Sequence, residues 1–298
     1  MLFILPISCV LVVTRPALFA KKTIFALQRL TRSRYELVQS LVRAKQHFIE
    51  NLYYKLNKLV VSDELNTSVF GSTMMNLLTE DMTTDDLLNI SITDLSDYLN
   101  EHGRGRFANP EALAKTIQKA VRGSYRLDKV ITNSVDTVLS VYAEEIKAFQ
   151  KMIKDLDKAI EEVMKVIGEE EQVLRSIPGI GAVYAAGILA EIGQIERFDN
   201  EAKLAKYAGL SWREKQSGGY ASDNTPLKRT GNTYLRYYLV ETANRVRIQD
   251  PVFGEYYQRK YQEVKHTPSK CALVLTARKL IRVIFFLLKN HQIYQEKR

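Results

Sequence analysis

Over residues 22–59, apolar side chains return at helical spacing: Leu30, Leu37, Leu41, Ala44, Phe48, Leu52, Leu56 and Leu59. No glycine or proline interrupts them. The spacing predicts one long amphipathic helix, with Arg29, Arg32, Arg34, Arg43 and Lys45 on its other faces. A sharper pattern begins at Val135. Val135, Leu139, Tyr142, Ile146, Phe149, Ile153, Leu156, Ile160, Val163 and Ile167 are spaced alternately by four and three. That 3.5-residue period predicts a coiled-coil seam. Either the first helix covers it antiparallel, or a second copy of the chain does.

Between these stretches the pattern weakens to short helical pieces at 84–88 and 92–99. The sequence HGRGRFANP at 102–110 reads as a loop, after which Asn109 caps a helix that has Pro110 in its first turn. Gly168 ends the seam helix. In 174–193, a short helix closes at Ile177. Pro178-Gly179-Ile180-Gly181 turns, and a second helix starts near Ala182. A short helix at 203–208 is closed by Gly209, Ser217-Gly218-Gly219 lies in a polar loop, and a helix over 233–247 turns Leu235, Leu239, Ala243 and Val246 inward. Residues 281–288 form a buried helix. The fold class is therefore mainly α: long helices and a coiled coil over 21–168, then a helical domain over 169–298.

The first thirteen residues, MLFILPISCVLVV, are apolar but too few to span a bilayer, which takes about 20. With no basic residue ahead of them and Pro6 inside, they fit a secretory signal poorly. Residues 1–20 are read as a leader of uncertain origin, either a buried strand or sequence from an aberrant start. No membrane association is expected.

Composition adds class and compartment. The 298 residues are 46% hydrophobic and 26% charged, ordinary for a globular chain of about two domains. Cys9 and Cys271 are far apart and fit free thiols in a reducing, cytoplasmic setting. No cysteine and histidine spacing suggests a metal. The net charge of +9 is unevenly placed. Residues 203–298 hold 19 basic against 7 acidic residues, residues 21–60 hold 9 against 2, and residues 61–202 hold 14 against 25. Basic ends around an acidic middle point to a polyanion, nucleic acid first; the alternative is a basic solvated surface.

Two segments carry chemistry. The Pro178-Gly179-Ile180-Gly181 turn looks like a helix-hairpin-helix motif. Glycines there let backbone amides approach a phosphate, and the following helix N-terminus adds N–H groups and partial positive charge. An ordinary interhelical turn is the competing reading. Further on, Lys215, Lys228, Arg229 and Arg236 bracket Ser217, with Gly218 beside it. A serine hydroxyl flanked by cations suits attack on a phosphodiester once a base takes its proton. Taken alone, a Ser-Gly-Gly segment reads more simply as a flexible surface turn.

The string Gly209-Leu210-Ser211-Trp212, then Ser217-Gly218, then Lys228-Arg229-Thr230-Gly231-Asn232 and Leu235-Arg236 resembles a bacterial insertion-sequence transposase family. The 178–181 hairpin and the helix with Ala277-Arg278-Lys279-Leu280-Ile281-Arg282 fit too, as does Leu30-Thr31-Arg32-Ser33-Arg34. Members join a RuvC-like Asp-Glu-Asp-Asp nuclease domain to a C-terminal helix-hairpin-helix serine domain and are RNA-guided recombinases. The resemblance implies Ser217 as nucleophile. The hairpin glycines and the cations around the serine give Pro178, Gly179, Ile180, Gly181, Lys215, Gly218, Lys228, Arg229 and Arg236 as candidate DNA-binding residues. The resemblance also implies a guide RNA, and a homo-oligomer or a hetero-oligomer with an intact transposase. Trp212 stands where the family usually has proline. The family's acidic Mg2+ ligands lie upstream of the basic helix, and the first acidic residue here is Glu36. The chain is thus expected to be an N-terminally truncated member with no metal site of its own, catalytically deficient alone. Asp85, Asp86 and Asp94 are read as caps and solvated faces. The alternatives are a non-catalytic nucleic-acid-binding or regulatory remnant, and a structural coiled-coil protein.

Overall fold

The computed structural model describes residues 8–212, 216–217, 220–221, 227–228, 230–264 and 267–295. It is mainly α. Helix α1 (Ser8–Val60) takes in residues 8–21 as helix, where the sequence suggested a strand or stray leader, and it breaks at Leu56 (φ −141°, ψ 67°). Then come α2 (Ser72–Asn76), a π-helical turn (Leu77–Asp81), α3 (Thr84–Asn89), α4 (Ile92–Gly103), α5 (Pro110–Gly123) and α6 (Lys129–Met164). The C-terminal segment holds α7 (Glu169–Arg175), α8 (Ala182–Ile192), α9 (Glu201–Tyr207), α10 (Thr233–Gln249), α11 (Pro251–Glu263) and α12 (Pro268–Asn290). Four two-residue strands lie between α9 and α10: β1 (Ser211–Trp212), β2 (Gln216–Ser217), β3 (Tyr220–Ala221) and β4 (Leu227–Lys228). They pair antiparallel as β1 with β4 and β2 with β3.

The chain divides into two compact units, Glu36–Ile153 and Met1–Tyr35 with Lys154–Arg298. In the first, Phe48, Leu52, Leu56 and Leu59 of α1 share one core with Leu139, Ala143 and Ile146 of α6. Met74, Met75, Leu87, Leu95, Leu99 and Ile117 complete it. The 3.5-residue seam of α6 is therefore packed within the chain over this stretch, since alternate four- and three-residue steps keep one stripe inward. Local caps set the short helices. Asn109 Oδ1 accepts from Ala112 N at 2.9 Å with Pro110 at the first helical position, as the sequence predicts. Asp86 forms a capping box with Thr83, and Asp94 accepts from the Ser91 hydroxyl that caps α4. The Thr83 hydroxyl and N–H hold the Asp86 carboxyl below its ordinary value.

In the second unit, Leu27 of α1 and Ile160 and Met164 of α6 join α7, α8, α9, α10 and α12 around one core. Helix α8 is buried from Ala185 through Ile192. Its small residues admit α10 closely, and the ring of Tyr238 rests on Gly187. The Tyr238 hydroxyl donates to Thr31 O of α1 at 2.7 Å. Burial, the leading influence on this phenol, pushes it well above its ordinary value. The acid–base pair of Arg34 and Asp157 ties α1 to α6. Burial works against the Arg34 charge, but Asp157 outweighs it and the guanidinium is raised. Tyr35 meets Tyr234 and Tyr237 edge-on at 5.2 and 4.7 Å.

Candidate nucleic-acid interface

The 178–181 turn is a tight link between α7 and α8. Ile177 and Ile180 are buried, and Ile180 N donates to Ile177 O at 3.1 Å. Its two glycines serve different ends. Gly179 has φ +92°, and a Cβ there would stand 3.1 Å from the backbone of Arg245 and Val246 in α10. It is glycine because the turn needs that conformation and α10 leaves no room. Gly181 is exposed, with nothing within 4 Å of where a Cβ would sit, and it begins α8 without a side-chain cap. An open, uncapped helix N-terminus is the part of the turn suited to an anion. Pro178 is half-buried beside it.

Ser217 is not in an irregular loop. Its backbone pairs with Tyr220 at the end of β2, and the two residues between them are Gly218 and Gly219. A glycine pair between paired residues is the signal of a two-residue hairpin, which the loop reading passed over. The side chain of Ser217, and Lys215, Gly218 and Arg229 altogether, lie outside the described residues. Lys228 is described: it pairs with Ser211 as β4 meets β1 and is half-buried. The half-buried Arg236 reaches Ala208 O and Thr233 Oγ1, each at 3.4 Å. It therefore helps close the C-terminus of α9.

Lys228 and Arg236 come together around Gly209. A Cβ on Gly209 would meet Arg236 Nη1 at 2.5 Å, Thr230 O at 2.8 Å and Lys228 O at 3.3 Å. The turn at 178–181 is elsewhere along α10. Gly179 packs at Arg245, nine residues beyond Arg236, or about 13 Å at 1.5 Å per residue. Of the residues singled out by sequence, the structure thus groups Lys228 with Arg236, and Pro178 through Gly181 with one another.

Sequence reasoning missed the most connected polar group here. Glu191 is the single charged residue of α8, and its side chain is 0% exposed. Arg32 of α1 donates to it through Nε at 2.7 Å and Nη2 at 2.9 Å. Gln28 Nε2 adds 3.3 Å and Asn232 Nδ2 adds 2.6 Å. Hydrogen bonding to Glu191, more than its charge, raises the Arg32 guanidinium. Arg32 also lies over the Tyr234 ring at 4.7 Å. The signal was visible: one carboxylate inside the apolar run AAGILAEIG must find donors when buried.

Among the described residues, no group of three or more His, Cys, Asp or Glu side chains is placed to hold a metal ion. No described helix is long and apolar enough to cross a membrane.

Comparison with known proteins places these features. Residues 171–258 match the family model described as "Transposase IS116/IS110/IS902 family". The chain is 30% identical over 168 residues to an uncharacterised 43.6 kDa protein of insertion element IS110 from Streptomyces coelicolor, covering 56% of this chain and 40% of that one. It is 28% identical over 156 residues to the transposase for insertion sequence element IS1111A of Coxiella burnetii, covering 51% and 40%. A pilin gene-inverting protein of Moraxella bovis is 26% identical over 168 residues, covering 53% and 52%. The chain thus spans about half the length, or less, of these relatives. The matched residues 171–258 contain the 178–181 turn, Glu191 and Ser217, so the features described above lie within the part of the chain that is similar to this transposase family.

Proposed function

We propose that the chain acts in DNA transposition, its C-terminal segment holding a DNA backbone while Ser217 breaks and rejoins a strand through a phosphoserine intermediate. The family match over residues 171–258 carries this reading. The basic excess of residues 203–298 and the open start of α8 at Gly181 support its DNA-backbone part.

In the proposed step, Ser217 Oγ gives its proton to a base and forms an O–P bond to the strand phosphate. The P–O bond to the departing sugar breaks, and that oxygen takes up a proton. The hydroxyl of the incoming strand then gives its proton to the base and attacks, a new P–O bond forms, the serine O–P bond breaks, and Ser217 Oγ regains its proton. Gly218 leaves space for the DNA backbone beside the serine. Lys215, Lys228, Arg229 and Arg236 supply positive charge to the phosphate oxygens.

No step here runs through Mg2+. Metal-holding carboxylates are proposed to come from a second transposase polypeptide with which this cytoplasmic chain assembles as a hetero-oligomer, homo-oligomers being the other form. By itself the chain binds DNA, and a guide RNA, without recombining it. Strand exchange measured with the chain alone and with an intact transposase tests this. The expected result is salt-steep duplex binding throughout and Ser217-dependent joining only in the mixture. Robust joining by the isolated chain would overturn the deficiency, and salt-insensitive binding would overturn the DNA role. A Ser217→Ala chain that performs as well as wild type in the mixture would reduce the function to binding or regulation.

A further inference from the structure

The segment that carries Ser217 leaves and re-enters the fold along one stem. Tyr207 to Trp212 runs beside residues 227, 228 and 230–232. Ser211 and Trp212 pair with Lys228 and Leu227. Gly209 and Gly231 touch so closely that a Cβ on Gly231 would lie 2.6 Å from Gly209 N. At the foot, Asn232 N donates to Tyr207 O at 2.7 Å, and Asn232 Nδ2 donates to the Tyr207 hydroxyl at 3.1 Å. Asn232 also caps α10, its Oδ1 accepting from Leu235 N at 2.9 Å.

One buried carboxylate holds that foot. Glu191 accepts from Asn232 at 2.6 Å, and its remaining capacity is taken by Arg32 and Gln28 of α1. A carboxylate with no solvent exposure is costly to bury unless a cation and donors are paired with it. Arg32 is the cation paired with it, and Arg32 lies outside the family-matched residues 171–258.

We propose that Glu191 is a positioning residue. It sets the foot of the serine-bearing stem through Asn232, and it does so only while Arg32 of α1 is docked on it. Helix α1 is thereby part of the serine site's support, and a change in the seating of residues 28–32 is transmitted to the stem. The inference rests on the proposed role of Ser217 for its bearing on chemistry. The positional claim concerns the chain without DNA.

The test uses the full chain and a reporter already present. Trp212, the sole tryptophan, is in the stem at β1, and trypsin sites stand at Arg213, Lys215, Lys228 and Arg229. Acrylamide quenching of Trp212 and tryptic cleavage within residues 213–229 are measured for wild type, Arg32→Gln, Glu191→Gln and the double variant, beside thermal melts. Arg32→Gln removes the cation and the two-pronged contact that seat Glu191, so quenching and cleavage are expected to rise at least threefold at temperatures well below its melt. The double variant replaces the carboxylate as well, leaving two amides that can pair, and is expected to return at least half of the way to wild type. Wild-type quenching and cleavage in both single variants would overturn the proposal. So would changes that track the melting temperature alone, with no recovery in the double variant. Should Arg32→Gln not fold, Arg32→Lys keeps the charge but loses the two-pronged contact, and the same readouts decide. Because no DNA enters these measurements, a chain that never joined strands would leave this result standing.

Discussion

The ring of Tyr238 lies flat against Gly187: a Cβ added to Gly187 would meet three ring carbons at 2.4 to 2.5 Å. The ring has no room to retreat, because Tyr238 is fully buried and its hydroxyl is fixed on Thr31 O at 2.7 Å. Gly187→Ala therefore forces α8 and α10 apart. Overpacking of this kind costs about 1–3 kcal/mol, and at about 2–4 °C per kcal/mol the melting temperature is expected to fall by several degrees. A thermal melt within one degree of wild type would show that the helices can part freely.

The two glycines of the 178–181 turn are expected to separate under mutation, although sequence reasoning gave them one role. Gly179→Val meets α10 backbone at 3.1 Å and imposes a β-branched residue at φ +92°. It is expected to destabilise the fold before it touches binding. Gly181→Val fills open space at the start of α8, so the melt is expected to stay within about two degrees while duplex affinity falls severalfold through blocked phosphate approach. Parallel melts and duplex titrations decide, and an unchanged affinity in Gly181→Val would remove the turn from the DNA contact.

What the sequence made legible follows the range of the forces involved. The inward stripe Leu235, Leu239, Ala243 and Val246 is buried in α10 as its period predicts, because a helix repeats its environment every few residues. The Asn109 cap and the Gly168 break were readable for the same local reason. The pairing of Ser217 with Tyr220 was not, since two-residue strands are too short to show alternation. The partners of Glu191 in α1 stand about 160 residues away, beyond any local pattern. The packing of Gly179 on Arg245 is likewise a tertiary contact.

Arg278 of α12 is half-buried at a cost to stability. Its Nη1 is buried with no hydrogen-bond partner among the described residues. Burial, and next the Arg282 charge one turn on, pull the guanidinium below its ordinary value, with Glu201 opposing. Arg278→Met keeps the apolar stem and removes the unsatisfied charge. Stability is expected to rise by about 1 kcal/mol, a few degrees in the melt. Duplex affinity is expected to fall, with the salt slope reduced by about one. A lower melting temperature would show that the stem alone does not explain the packing, and an unchanged slope would take Arg278 out of phosphate binding.

Lys55 of α1 presents the reverse case in the unit Glu36–Ile153. Its side chain is 3% exposed, donates to Leu78 O at 2.8 Å, and stands 2.8 Å from Asp136 Oδ1 of α6. The contact with Asp136 is an ion pair without hydrogen-bond alignment, for that oxygen has no hydrogen-bond partner among the described residues. The two ends are unequally buried, Asp136 being 31% exposed. Removing the acid leaves a buried ammonium with one carbonyl, whereas removing the base leaves a carboxylate that water can reach. Asp136→Ala is therefore expected to cost about 3–5 kcal/mol, and Lys55→Met clearly less. Urea unfolding of both variants checks the order. If Lys55→Met is the more damaging, the ammonium contributes chiefly through Leu78 O, anchoring the π-helical turn that begins at Leu77 rather than joining α1 to α6.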